Sequence, residues 1–297
     1  MKTHMLTLSG VLALALAGTA YAQLGDIKLP TKLPGGAKVP GGDKLPGNPT
    51  SCTGLKGDGG ARIEAFIAAS AGLQKSAASL EASVADACKQ MAGELKVSTA
   101  GNTKAVCGRV ATALKAGLKV TAKAKSKTAV TYTPATCTVD ATASAKAAAA
   151  CSGSAGGTAG TGGSAGSAAG ACKSQGEASA SLDATCTPPK VDVQSDTSVA
   201  VDASGFERAS KAVAIGLPAL LTANAKAKLA LKSATAFAGS AGGAVKGMGS
   251  LAKDFGTQMV CVADRLSVAA RGAVQAKASI SVSVQASASV SGAASAH

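Results

Sequence analysis

The spacing of apolar residues changes several times along the chain, and each spacing predicts a different element. From Ala61 apolar residues recur every three or four positions, which predicts a long amphipathic helix. These positions are Ile63, Phe66, Ile67, Leu73, Ala77, Leu80, Val84, Cys88, Met91 and Leu95. Gly101 and Asn102 predict a helix stop and a new N-cap. A second helix is predicted through Val106, Val110, Leu114 and Leu118. The short connection predicts that the two helices are antiparallel neighbours.

Residues 128–203 follow a two-residue period, in which apolar residues alternate with Thr and Ser. This period predicts β-strands. The apolar positions are Ala129, Val130, Tyr132, Val139, Ala141 and Ala143, followed by Ala178, Ala180, Leu182, Ala184, Val191, Val193, Val199 and Val201. Between the two sets, residues 152–171 consist almost entirely of Gly, Ser, Ala and Thr, which predicts a flexible loop.

Four of the eight cysteines lie in this alternating region, at equal outer spacings. Cys137 and Cys151 are fourteen residues apart, as are Cys172 and Cys186. When the chain is folded back so that paired position numbers add to 323, Cys137 faces Cys186 and Cys151 faces Cys172. The sequence therefore predicts an antiparallel hairpin with these two disulfides.

Helical spacing returns over residues 204–278, and alternation returns after it. Pro218 is expected to break or restart the helix, and Gly239, Gly242 and Gly243 are expected to interrupt it. In the tail, residues 279–297, the alternating apolar positions are Ile280, Val282, Val284, Ala286, Ala288 and Val290. This pattern predicts a terminal strand whose exposed edge pairs with the sheet or with another copy of the chain.

The remaining cysteines are assigned by position. Cys88 and Cys107 lie at comparable distances on either side of the predicted turn, so they are expected to join the first two helices. Cys52 and Cys261 are left as a pair by elimination. An even number of cysteines is typical of a chain that folds in an oxidising compartment.

The N-terminus predicts export. Residues 1–22 carry a basic Lys2, an apolar run and a small-residue cleavage site, so Gln23 is the expected first mature residue. Residues 23–58 contain repeated Lys-Leu-Pro units, as at Lys28 and Lys44, and predict an extended basic arm. The expected location is the periplasm, the cell surface or the extracellular matrix.

Composition and charge limit the function. The formal charge of +14 predicts anionic partners, namely lipopolysaccharide, another acidic polysaccharide or a membrane surface. Aromatic residues make up 2% of the chain, which argues against nucleic acid held by base stacking. A lysine stripe at intervals of four is expected to end the second helix, either as a solvated face or as an anion-binding site. Its members are Lys115, Lys119, Lys123 and Lys127.

The patterns expected of catalytic, metal or cofactor sites are missing from the sequence. Beyond the predicted leader, His297 is the one histidine, which argues against a histidine-dependent mechanism. The spacings typical of zinc, calcium and phosphate-loop sites do not occur. We therefore expect no enzyme activity, no metal and no cofactor.

Three parts of the chain resemble a group of exported, Ala/Gly/Ser-rich, Cys-punctuated envelope proteins of myxobacteria. They are residues 28–46, the run Ala184-Thr185-Cys186-Thr187-Pro188-Pro189-Lys190-Val191 and the tail 279–291. Members of that group have a denser Cys/Gly repeat where this chain has its Gly/Ser/Ala tract, which implies a shorter sheet here. The resemblance implies an envelope location and this architecture, and it implies no activity.

Together these patterns predict an α+β protein. An amphipathic helical bundle of residues 59–127 and 204–278 is joined to a small disulfide-stapled antiparallel β region at 128–203. The expected function is a structural or adhesive component of the cell envelope, spore coat or extracellular matrix. The alternative is a lipid- or lipopolysaccharide-binding module, in which the amphipathic helices open and lay their apolar faces on lipid.

Overall fold

A computed structural model of the protein describes residues 58–119, 130–153, 163–193, 200–246 and 259–295. The chain divides into a unit of Met1–Gly47 and a unit of Asn48–His297, and every described residue belongs to the second unit. The helices of the described part are α1 (Asp58–Glu94), α2 (Thr103–Gly117), α3 (Ala141–Gly153), α4 (Gly163–Leu182), α5 (Ala203–Lys246) and α6 (Met259–Ser295). Its strands are β1 (Val130–Thr133), β2 (Cys137–Thr138), β3 (Thr185–Cys186) and β4 (Lys190–Val193). The predicted leader and the Lys-Leu-Pro units of the arm lie outside the described residues.

The described part of the chain is mostly helical, and α1, α5 and α6 form its centre. Each of these helices contains a continuous series of buried residues at alternating intervals of three and four, with further buried residues beside the series. In α1 the series is Phe66, Ser70, Leu73, Ala77, Leu80, Val84, Ala87 and Met91. In α5 it is Phe206, Ala209, Val213, Gly216, Leu220, Ala223, Ala227, Ala230, Ala234, Phe237 and Ala241. In α6 it is Val262, Leu266, Ala269, Ala273, Ala276, Ile280, Ser283, Ser287, Val290 and Ala294. This spacing is the heptad pattern of helices packed side by side.

Direct contacts fix the directions of the three long helices. The Ser70 hydroxyl donates to the Ala269 carbonyl at 2.5 Å, and the Glu64 carboxylate lies 3.9 Å from the Arg265 guanidinium, so α1 and α6 are parallel. The ring of Phe66 lies 5.3 Å from that of Phe237. Near the other end of α1, Met91 packs against Gly216, so α5 is antiparallel to α1. Small residues dominate the buried stripe of α5, which lets helix backbones approach closely.

The direction of α2 differs from the prediction. The disulfide Cys88–Cys107 joins α2 to α1, and the Thr103 hydroxyl donates to the Glu81 carboxylate at 3.2 Å. Because both residue numbers rise together, α2 runs in the same general direction as α1 and not antiparallel to it. The connection between the helices is long enough to carry the chain back along α1. It begins at Lys96, whose φ of 56° is left-handed.

The end of α1 explains how the chain turns back. The N–H of Lys96 donates to the carbonyl of Gly93 at 3.2 Å, and the N–H of Val97 donates to that of Ala92 at 2.9 Å. This pair of hydrogen bonds around a left-handed residue is a Schellman motif, which stops a helix and turns its chain aside. The predicted second N-cap is confirmed, since Asn102 accepts from the Ala105 N–H at 2.9 Å.

The predicted mirror register is confirmed in the two short ladders. β1 pairs antiparallel with β4, from Val130 opposite Val193 to Thr133 opposite Lys190. β2 pairs antiparallel with β3, with Cys137 opposite Cys186. Every one of these pairs has position numbers that add to 323, so one fold-back axis relates both ladders. Val199 lies outside the described residues, and Val201 follows a single bridge residue and belongs to no strand.

The prediction of strands between Ala141 and Leu182 is wrong, because these residues form α3 and α4. Alanine is the best helix former, and its small side chain gives a strand little to pack. Asp140 caps α3 by accepting from the N–H of Thr142 at 2.8 Å. The flexible loop predicted at 152–171 is also too long, since α3 ends at Gly153 and α4 begins at Gly163.

The terminal strand predicted at 279–297 is also wrong, since α6 continues to Ser295. Its serines bond back along the helix: Ser283 donates to the Ser279 carbonyl at 2.8 Å, and Ser287 donates to that of Ser283 at 2.7 Å. These bonds satisfy hydroxyl groups that a helix interior does not usually favour. The strand edge expected to recruit another copy of the chain is therefore not formed by these residues.

α5 also runs through the positions where a break was expected. It continues past Pro218 and through Gly239, Gly242 and Gly243 to Lys246. A proline inside a helix leaves the carbonyl four residues earlier without its partner. That residue is Ala214, which is exposed, so water is able to bond its carbonyl.

Candidate functional site

Three carboxyl groups of the described residues have a shifted pKa, and each shift has a structural cause. Hydrogen bonds from the hydroxyl and the N–H of Thr142 lower the pKa of Asp140. The N–H of Gly205 lowers the pKa of Asp202, which lies directly before α5. The pKa of Glu207 is lowered by a lysine ammonium 2.8 Å away, one turn later on α5. The three carboxyl groups belong to two helix caps and an exposed ion pair. They do not pair with one another as an acid and a base.

Metal binding and membrane crossing receive no support from the described residues. Nowhere in this part of the chain do three His, Cys, Asp or Glu side chains come together in a way that suits a metal ion. None of its helices combines the length and the apolar character needed to cross a membrane.

A long run of sequence that includes α2 contains basic residues and no acids. Between Glu94 and Asp140 the sequence contains no acidic residue. The same stretch contains eight basic residues: Lys96, Lys104, Arg109, Lys115, Lys119, Lys123, Lys125 and Lys127. The first five lie in the described residues. The acids near these cations come from other elements: Glu81 of α1 bonds Thr103, which precedes Lys104, and Asp202 follows Val201, which bonds the Lys119 carbonyl. The segment itself contributes positive charge alone, which favours an approaching anion.

The geometry of α2 gathers part of this charge on one exposed face. Lys104 and Lys115 are eleven residues apart, which is close to three helical turns, so both lie on the same side of α2. Both are exposed, as is Lys119 just beyond the helix end. We call Lys104, Arg109, Lys115 and Lys119 the basic face. Arg109 is half-buried and lies five residues after Lys104, about 140° around the helix, so it marks the other edge of the exposed side of α2.

The opposite side of α2 anchors the helix firmly. Val106, Val110 and Leu114 are buried among the other helices with no more than 1% of their surface exposed. The Cys88–Cys107 disulfide adds a covalent tie to α1. At the far end, Gly117 packs so tightly against α5 that a Cβ there would lie 2.8 Å from the Gly205 carbonyl oxygen. The basic face is therefore carried by a helix with little freedom to move.

Arg109 is held in place by backbone carbonyl groups. Its Nε donates to the Ser98 carbonyl at 2.9 Å, and its Nη2 donates to the Ala100 carbonyl. These acceptors are neutral, so they orient the guanidinium group without cancelling its charge. Within the described residues Arg109 forms no ion pair. Its positive charge remains available to an anion in an orientation that the loop before α2 has already set.

An open, shallow groove of about 810 Å³ lies on the exposed side of α2 and includes part of the basic face. Its lining is mostly carbon and includes Val97, Ala105, Gly108, Ala113 and Ala116. Lys104 and Arg109 also line it, and no acidic side chain is among its nine lining residues. A Cβ placed on Gly108 would meet nothing within 4 Å, so this part of the helix backbone is open to a ligand.

The predicted lysine stripe is met only in part. Lys115 lies in the last turn of α2 and is exposed, but α2 ends at Gly117, so Lys119 lies beyond the helix. The Lys119 carbonyl accepts from the Val201 N–H at 3.0 Å, which fixes its backbone beside the start of α5. Lys123 and Lys127 lie outside the described residues.

The four-residue lysine spacing does not include Lys104 and Arg109, because both precede that series. The absence of acids between Glu94 and Asp140 was the signal that could have found them.

Two of the four predicted disulfides lie within the described residues. Cys88–Cys107 and Cys137–Cys186 are formed, and both predictions are confirmed. Cys172 is disulfide-bonded as well. Its expected partner, Cys151, lies on α3 among residues whose side chains are not described, and the same is true of Cys261 on α6. Cys52 lies outside the described residues, so Cys151–Cys172 and Cys52–Cys261 stay predictions.

No protein-family model, curated protein or solved structure matches this chain. The basic face, the groove and the disulfides are the features of the described residues that bear on function.

Proposed function

We propose that the protein is an exported structural or adhesive component of the cell envelope, spore coat or extracellular matrix, which attaches through the basic face to an anionic polysaccharide. The observation that carries this proposal is the acid-free run of exposed cations on an anchored helix. Binding through mobile lysines costs side-chain entropy, and salt screens their charges. A fixed helix with a pre-oriented guanidinium reduces the entropy cost of binding.

The disulfides and the expected leader support the location. Two formed disulfides and a third bonded cysteine suit an oxidising compartment outside the cytoplasm. Residues 1–22 have the pattern of a secretory leader. The resemblance to envelope proteins of myxobacteria supports the same location. Disulfides also suit a chain whose core is rich in alanine, because alanine burial contributes little hydrophobic stabilisation.

The test compares two triple variants with the same loss of charge. The first changes the basic face by Lys104→Gln, Lys115→Gln and Lys119→Gln. The control changes the exposed lysines Lys75, Lys228 and Lys232 to Gln on α1 and α5. Binding of each oxidised protein to polygalacturonate is measured in about 0.15 M salt, with dextran as the neutral polymer.

We expect the first variant to bind polygalacturonate about tenfold more weakly than the parent protein, which corresponds to about three modest charge contacts. The control variant should keep most of the affinity, and dextran should not bind. Equal losses in both triple variants would show that binding depends only on net charge. In that case the proposed role of the basic face would be wrong.

A further inference from the structure

We infer that the groove beside the basic face binds one acyl chain of an anionic lipid amphiphile, with the lipid head group at Lys104 and Arg109. This inference rests on the proposed function, because it assigns a second part of the ligand to the same face of α2. A polysaccharide alone would need polar partners, and it would leave the carbon lining of the groove unexplained.

The first argument is the chemical character of the groove. Val97, Ala105, Gly108, Ala113 and Ala116 carry no hydrogen-bonding side chain, and Asn102 and Thr112 are the two neutral polar residues among the nine that line the groove. Apolar surface of this kind favours a hydrocarbon chain, which gains free energy by leaving water. A volume of about 810 Å³ leaves room for an acyl chain, and because the groove is open and shallow one side of that chain would stay in contact with water.

The second argument is charge. Lys104 and Arg109 line the groove, Lys115 lies on the same side of α2, and the nine lining residues include no acid. A carboxylate or phosphate head group complements these cations, whereas a zwitterionic head group brings its own positive charge. The carbonyl groups of Ser98 and Ala100 already hold the guanidinium in position, so little ordering is left for the ligand to impose.

Charge also argues against two other occupants, namely the segment that follows α2 and a second copy of the chain. The segment that follows α2 contains Lys123, Lys125 and Lys127 and no acid, so it repels the groove cations. A second copy of the chain docked through the same face would bring the same five basic residues of 95–119 against themselves. An anionic amphiphile avoids both conflicts.

This binding mode leaves the bundle closed. The apolar stripes of α1, α5 and α6 remain buried in one another, and Cys88–Cys107 keeps α2 against α1. It therefore differs from lipid binding by opened amphipathic helices, which would require those stripes to separate.

The test uses the oxidised full chain and a single-chain probe below its micelle concentration. Binding of lauroyl-lysophosphatidylglycerol is compared by calorimetry with that of lauroyl-lysophosphatidylcholine, which has the same chain and no net charge. Gly108→Gln places a neutral polar side chain in the groove, and Gly72→Gln is its match, since a Cβ at Gly72 also meets nothing within 4 Å. Lys104→Glu reverses a groove charge, and Lys75→Glu is its match on α1.

We expect saturable binding of the anionic probe at a ratio of one, and about tenfold weaker binding of the zwitterionic probe. Gly108→Gln and Lys104→Glu should each weaken binding of the anionic probe about tenfold, while their matched variants bind as the parent protein does. Equal affinity for the two probes, no saturable binding, or unchanged binding by Gly108→Gln would overturn the inference.

The outcomes separate this inference from the proposed function. Gly108→Gln removes no charge, so it should leave polygalacturonate binding unchanged. Polymer binding without probe binding would contradict the groove inference and would still agree with the proposed function. Probe binding without polymer binding would leave the groove as a lipid site and remove the adhesive role.

Discussion

At the scale of single residues, Gly176 shows how closely the helices of this protein approach each other. A Cβ at this position would lie 2.7 Å from both the Ala148 nitrogen and the Ser144 carbonyl oxygen. These are backbone atoms of α3, so they cannot turn aside as a flexible side chain would. Glycine at 176 is therefore what allows α4 to lie directly on α3.

We expect Gly176→Ala to destabilise the protein by about 1–3 kcal/mol, because overpacking forces two backbones apart. Gly72→Ala is the matched control, since its Cβ meets open space on α1. It should stabilise the protein by about 0.5–1 kcal/mol, because alanine favours a helix more than glycine does. Urea unfolding of both variants followed by circular dichroism measures the difference. A gain in stability at both sites would contradict the close contact.

At the scale of elements, α6 shows how a helix can imitate a strand in sequence. Its buried stripe keeps strict intervals of three and four from Val262 to Ala294. Ser283 and Ser287 occupy two positions of that stripe, and valines and alanines fill many positions outside it. The apparent two-residue alternation therefore reflects composition, while burial follows the helical period. The hydroxyl groups cost little here because they bond to carbonyls within the helix.

Two serines distinguish the helix from the strand. In a strand, Ser287 and Ser289 would share one face and respond alike to substitution. In α6, Ser287 is 1% exposed and Ser289 is exposed. We expect Ser287→Asp to destabilise the protein by several kcal/mol, since it buries an unpaired charge. Ser289→Asp should change stability by no more than about 0.5 kcal/mol. Thermal unfolding measures both, and similar effects at the two sites would favour the strand.

At the scale of the whole molecule, two kinds of restraint hold the fold. Three long helices bury heptad stripes against one another, and disulfides tie on the shorter elements. Cys88–Cys107 closes a separation of 19 residues and Cys137–Cys186 one of 49. By the loop-entropy argument each contributes about 3–4 kcal/mol. Such ties matter here because much of the buried surface comes from alanine.

The same geometry predicts the partner of Cys172. α3 and α4 are antiparallel, because Cys137–Cys186 closes their common base and Gly176 packs against Ala148. Cys151 follows Ala148 by three residues and Cys172 precedes Gly176 by four, so both lie about one turn further from that base.

Peptide mapping under non-reducing conditions should therefore find Cys151 linked to Cys172. Cys52 should then be linked to Cys261. A link from Cys172 to either of those two would contradict the antiparallel register of α3 and α4. Links at Cys88–Cys107 and Cys137–Cys186 serve as the internal control of the mapping.

Features that depend on local periodicity or on covalent spacing can be predicted from the sequence. The large apolar residues of α1 and α2 mark their buried faces because only those faces have enough apolar surface to leave water. The equal cysteine spacings set the fold-back axis that the structure shows in both ladders. These signals need no knowledge of neighbouring elements.

Tertiary contacts were needed to show whether the Ala- and Ser-rich segments are helices or strands, and in which direction α2 runs. Alanine and serine fit either period, and neighbouring helices cover a stripe of α4 and of the end of α6. None of residues 141–149 of α3 is buried, and this helix meets α4 through the close backbone contact at Gly176. The Schellman turn at Lys96 and the tie from Cys107 to Cys88 reverse the expected direction of α2. The candidate site has the same origin. Its charges are visible in sequence, but the groove beside them exists because one side of α2 is buried and the other is not.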